Sequence, residues 1–99
     1  LRKRRRMRHY EIMVIYNIDL GDDAKKSSDE IDALIGSLGG SILNRDFWGK
    51  RKFAYPINHQ VEGYYDVIKF DLPADKIKTM EEKLRRMTSV VRYLITARE

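Results

Sequence analysis

Apolar and polar positions alternate from Arg8 to Asn17. Tyr10, Ile12, Val14 and Tyr16 share one face, while His9, Glu11, Met13, Ile15 and Asn17 share the other. Period-two spacing of β-branched and aromatic residues predicts a strand. Because Met13 and Ile15 are also apolar, this strand is expected at the centre of a sheet, covered or bordered on both faces. The period then changes. After a Gly-Asp-Asp turn at Gly21–Asp23, residues Ala24, Ile31, Leu34, Ile35 and Leu38 recur at spacings of three, four and seven, as on one face of a helix. Asp22, Asp23, Asp29 and Glu30 favour its N-terminal half through the helix dipole. Gly39 and Gly40 end it, since glycine takes the left-handed cap conformation without a Cβ penalty.

Ser41 to Ile57 reads as a long second strand, with Gly49 as a bulge or kink. A turn is expected at Asn58–Gly63, and a third strand from Tyr64 to Asp71. Pro73 can open a second helix, where its missing N–H costs nothing, and Ile77, Met80, Leu84 and Met87 form the apolar stripe. Val90 to Ala97 alternates again as a fourth strand. The order is β-α-β-β-α-β, an α+β domain with a four-stranded antiparallel sheet. Right-handed crossovers place both helices on one face of that sheet. The opposite face, or an edge of it, is left as the partner surface.

Charge divides the chain. The net charge of +5 hides six basic residues within the first eight positions; from His9 onward 14 basic face 15 acidic residues. Residues 1–7 read as a basic N-terminal extension and 8–99 as the folded domain. Asp19, Asp22, Asp23, Asp29, Glu30 and Asp32 crowd one segment; Arg45, Lys50, Arg51 and Lys52 crowd another. A basic tail with a local basic patch suits a polyanion approached from one side; a solvated arm is the other reading of the tail. There is no cysteine, which excludes disulfides and thiolate metal sites and suits a cytosolic protein. No apolar run reaches the roughly 20 residues a membrane span needs, and no secretory pattern follows the basic cluster. A soluble, non-secreted chain with no membrane partner is expected.

Several segments carry a resemblance. Met7–Ile15 reads M-R-H-Y-E-I-M-V-I, Gly39–Ile57 reads G-G-S-I-L-N-R-D-F-W-G-K-R-K-F-A-Y-P-I, Glu62–Phe70 reads E-G-Y-Y-D-V-I-K-F, and Val90–Ile95 reads V-V-R-Y-L-I. Together they resemble the bacterial small-subunit ribosomal protein six family over essentially the whole body, and W-G-K-R-K-F-A-Y-P-I is the most specific block. The resemblance implies a ferredoxin-like fold, no enzymatic activity, no cofactor and no small-molecule substrate. It also implies binding to the central domain of small-subunit ribosomal RNA, in a heterodimer with ribosomal protein eighteen, in the bacterial cytoplasm. The contact regions it implies are the start of the first strand, the Lys50–Lys52 block and the end around Arg92. It does not say which of these meets RNA and which meets protein.

The residues themselves point the same way, less specifically. Lys50 and Lys52 face one side of a strand and Arg51 the other. Arginine grips phosphate oxygens bidentately where lysine acts as a mobile point charge; an edge strand charged against aggregation is the alternative. We assign Arg8, His9, Lys50, Arg51, Lys52 and Arg92 to RNA, and Trp48 and Tyr64 to a protein partner. Trp48 before Gly49 suits an anchor or a base stack, or a core indole under a bulge. Tyr64 and Tyr65 must point to opposite faces, one to core and one to contact. Tyr10 and Tyr16 read as core, and Arg85 and Arg86 as a solvated helix face.

His9 and His59 lie on different elements with no third ligand, so no metal site is expected. Ser27 and Ser28 lack a nucleophile-elbow context. An RNA-recognition motif shares the element order, but Glu62, Tyr65 and Asp66 break its third-strand signature. An acylphosphatase-like hydrolase needs a phosphate loop after the first strand, where this chain has the acidic Asp19-Leu20-Gly21-Asp22-Asp23.

Overall fold

A computed structural model of the chain describes residues 7–54 and 60–98, with side chains for 7–52 and 62–98. The basic stretch 1–6, Tyr55–Ile57 and His59 lie outside the described residues. Four strands and two helices follow in the expected order: β1 (Met7–Asn17), α1 (Asp23–Ser37), β2 (Ser41–Ala54), β3 (Gln60–Pro73), α2 (Ile77–Arg86) and β4 (Val90–Arg98). The sheet order is β2-β3-β1-β4, with every neighbouring pair antiparallel. β1 is central, as its two apolar faces require.

Pairing fixes the faces. Tyr10, Ile12, Val14 and Tyr16 stand opposite Phe70, Ile68, Asp66 and Tyr64 on β3, and this face packs on Ala24, Ile31 and Ile35 of α1 and Met80 and Leu84 of α2. Both helices therefore cover the same side. α1 ends where its glycines predict: the Gly40 N–H donates to the Ile35 carbonyl at 2.9 Å and Gly39 to Gly36 at 3.1 Å, with Gly39 at φ +86°. These are the two bonds of a Schellman cap.

Two boundaries differ from the sequence reading. β3 already begins at Gln60, so the hairpin is longer and Gln60–Gly63 are strand. Pro73 closes β3 and caps a short 3-10 turn, Ala74–Lys76, before α2 begins; its fixed φ suits the last extended residue as well as a first helical one. The expected bulge is present, between Phe47 and Gly49, and a second lies between Ile42 and Asn44.

Gly63 sits where only a glycine fits. A Cβ there would lie 2.5 Å from the Tyr16 carbonyl oxygen and 2.7 Å from Ile15 Cγ2. Gly63→Ala is expected to destabilise the fold by about 1–3 kcal/mol through overpacking. A urea titration reads this directly, and an unchanged midpoint would mean that β1 and β3 can separate at little cost.

Candidate functional site

The face of the sheet away from the helices is built from the odd residues of β1 and their partners. Ile15 lies opposite Tyr65 and Arg92, Met13 opposite Val67 and Leu94, and Glu11 opposite Lys69 and Thr96. At one end, His9 faces Asp71 and Arg98. Among the described residues no element covers this face, and Leu94 is 63% exposed. Tyr65 is nevertheless buried there, because the Trp48 indole stacks over it with ring centroids 6.3 Å apart and planes 13° apart. The bulge turns Trp48 onto this face, and its Nε1–H donates to Asp46 Oδ2 at 2.9 Å. The result is an apolar centre of Trp48, Tyr65, Ile15, Met13, Val67 and Leu94.

Arginines frame one end of that centre. Arg51 stands on β2 opposite Gly63, and Arg92 on β4 opposite Ile15; both are exposed. A groove of about 610 Å³ borders Arg92, lined by Leu84 and Arg85 of α2 and by Val91, Tyr93 and Leu94 of β4. Apolar area rimmed by guanidinium groups is the make-up of a macromolecular contact surface.

The assigned residues separate into groups. Trp48, Arg51 and Arg92 lie toward the same end of the open face, with Arg51 on the β2 edge and Arg92 on the β4 edge. Lys50 and Lys52 are exposed but pair with Tyr64 and Glu62 on the helix side. Arg8 and His9 lie at the far end of β1, six or more residues from Ile15, or about 20 Å at the usual strand rise. His9 Nδ1 is paired with Asp71 Oδ1, so that ring already has an acidic partner. Tyr64 stands on the helix-covered face, half-buried against the core; Tyr65 holds the place on the open face that Tyr64 was expected to have.

Sequence reading missed a second constellation beneath α1. Asp66 is fully buried on β3. Its Oδ2 accepts from Tyr16 Oη at 2.9 Å and from Ser28 Oγ at 2.7 Å. Arg45 reaches in from β2, with Nε 3.6 Å from Asp66 Oδ1. Its Nη1 donates to Asp32 Oδ2 at 2.8 Å and its Nη2 pairs with Asp32 Oδ1. Arg45, grouped by sequence with the outward patch, is thus an internal cation serving two carboxylates. Burial raises the Asp32 carboxyl above its ordinary range while the Arg45 guanidinium pulls it back.

Burial, and then the Asp66 carboxylate, push the Tyr16 phenol far above its ordinary value. It stays a neutral donor in the folded protein. In the unfolded chain it ionises near pH 10, so its contribution is complete below that pH and lost as pH rises beyond it. Tyr16→Phe should show a shallower loss of stability than the parent between about pH 9.5 and 11. Parallel stability curves over that window would exclude Tyr16 as the cause.

Among the described residues no three His, Asp or Glu side chains could hold a metal ion, and no helix is long and apolar enough to cross a membrane.

Comparison with known proteins agrees with this geometry. A family model described as Ribosomal protein S6 matches residues 9–97. The small ribosomal subunit protein bS6 of Dictyoglomus turgidum is 39% identical over 94 residues, covering 94% of this chain and 97% of its own. That of Caldanaerobacter subterraneus subsp. tengcongensis is 42% identical over 90 residues, covering 90% and 95%. The crystal structure of 30S ribosomal protein S6 from Thermotoga maritima superposes with a TM-score of 0.83 at 26% identity, over 94% of this chain and 89% of that one.

Proposed function

The chain belongs to the ribosomal protein S6 family, and on that premise we propose that it is a structural constituent of the small ribosomal subunit. In this reading it binds the central domain of small-subunit ribosomal RNA jointly with ribosomal protein eighteen, in the cytoplasm, and catalyses no reaction. One observation carries the division of labour: an uncovered sheet face whose apolar centre, Trp48 to Leu94, is rimmed by Arg51 and Arg92. The apolar centre suits the protein partner, since aromatic and arginine side chains supply most of the binding energy in such surfaces. The Lys50–Lys52 block on the hairpin beside it suits RNA phosphates, with Arg92 at the opposite edge.

The charge balance supports joint binding by two proteins. Beyond the basic tail the body carries 15 basic and 15 acidic residues, so little of its RNA affinity can come from counterion release. Alone it should bind central-domain RNA weakly, and ribosomal protein eighteen should raise its affinity at least tenfold, worth about 1.4 kcal/mol. Filter binding with and without the second protein measures this. Equal affinities in both would defeat the joint-binding model.

A further inference from the structure

We infer that Arg45 is a positioning residue: its charge selects the register of β2 and thereby decides which aromatic side chain stands on the open face. The inference goes beyond the ribosomal reading and concerns how the contact surface is specified. From Ile42 opposite Phe70 to Lys52 opposite Glu62, β2 uses two residues more than β3. Those two are Leu43 and Trp48, the bulged positions. Between them the side-chain alternation is inverted relative to an unbulged strand, so that Arg45 and Phe47 face the helices.

The alternative is easily written. Continuing regularly from the Ile42–Phe70 pair, β2 would place Asn44 opposite Ile68, Asp46 opposite Asp66 and Trp48 opposite Tyr64. Phe47 would then take the place of Trp48 beside Tyr65, and Lys50 would move from Tyr64 to Glu62. That is two residues along the arm, or about 7 Å. Apolar patterning hardly separates the two arrangements. Phe47 and Trp48 are adjacent, so each register buries one aromatic ring and presents the other. A one-residue slip normally costs a hydrophobic face; here it exchanges one ring for another.

Charge separates them. The observed register brings the Arg45 guanidinium to the buried Asp66 and to Asp32. The regular register would bury Asp46 against Asp66, two like charges in a site of low dielectric, and send Arg45 to solvent. Buried polar groups fix register in other folds in this way. Arg45 thus acts through the strand on Trp48, on its stack with Tyr65 and on the placement of Lys50–Lys52.

Exchanging the two charges, Arg45→Asp with Asp46→Arg, tests this directly, because only the regular register then brings a cation to Asp66. Nuclear Overhauser contacts between the Trp48 and Tyr65 rings should disappear and contacts between Phe47 and Tyr65 replace them. A second variant, Arg45→Met with Asp46→Asn and Asp66→Asn, removes the charges that distinguish the two registers at nearly constant volume. It should fold and give two sets of Trp48 indole N–H resonances, one per register. The single variant Asp32→Asn leaves the Arg45–Asp66 pair and should keep one set. Persistence of the Trp48–Tyr65 contacts as the only set in both the charge-exchanged and the charge-free variant would overturn the inference. Failure of both to fold would also count against it, since the charges would then hold the fold itself and not choose between registers. A shifted register with unchanged binding to RNA and ribosomal protein eighteen would instead defeat the proposed contact surface and leave the register inference standing.

Discussion

Arg45→Met alone is expected to lower the stability of the fold by about 3–5 kcal/mol, the cost of leaving a buried carboxylate without its cation. Asp66 has no access to water and receives two hydroxyl hydrogen bonds, both on Oδ2. Among the described residues its Oδ1 has only the Arg45 Nε at 3.6 Å, and neither atom makes a hydrogen bond. The attraction between them is therefore electrostatic and acts over a short buried path. Asp32 would suffer less, because its carboxylate is partly exposed and can recover water. Pairing Arg45→Met with Asp66→Asn should return most of the lost stability, since a buried ion pair removed as a whole is often neutral. Urea unfolding of the four proteins in this cycle gives the coupling directly. If the single and double variants were equally unstable, packing of the arginine stem and not its charge would be responsible.

The fold was largely legible because its elements announce themselves locally. Alternation in β1, the three-and-four spacing in α1 and α2, and the Gly39-Gly40 cap all lie within one element and depend on no distant partner. The bulge at Trp48 was legible too, since Gly49 takes a φ of +78° that other residues avoid. The bulge at Leu43 has no such marker and arises from how β2 must meet β3. The same distance effect hid the Arg45 network. In sequence Arg45 stands near Lys50, Arg51 and Lys52 and reads as surface charge; only pairing with β3 brings it to Asp66. One local sign existed: Asp66 interrupts the apolar run of β3 at a position facing the helices, and a buried acid asks for a cation. Tyr64 and Tyr65 show the limit of alternation. It says that the two rings oppose each other, but which of them faces the helices depends on the β1 register, Tyr16 opposite Tyr64.

The last expected result separates the hairpin block from the basic tail. Replacing Lys50, Arg51 and Lys52 together with Ala should weaken binding to the correct central-domain junction far more than to unrelated RNA. These charges are held on a paired strand, Arg51 toward the open face and the lysines toward the other, so they must match one backbone path. Deleting residues 1–6 should instead lower affinity evenly across RNAs, because counterion release carries no positional information. The two changes also differ in salt dependence. At about 0.7 per phosphate contact, the value for single-stranded RNA, losing the five basic residues of the deleted segment should flatten the log–log slope by roughly 3 to 4 units, and losing the block by roughly 2. Salt titrations on cognate and scrambled RNA, with ribosomal protein eighteen present, measure slope and discrimination together. A deletion that abolished discrimination while the triple variant kept it would place the specific contacts in the tail and leave the hairpin block as a charged strand edge.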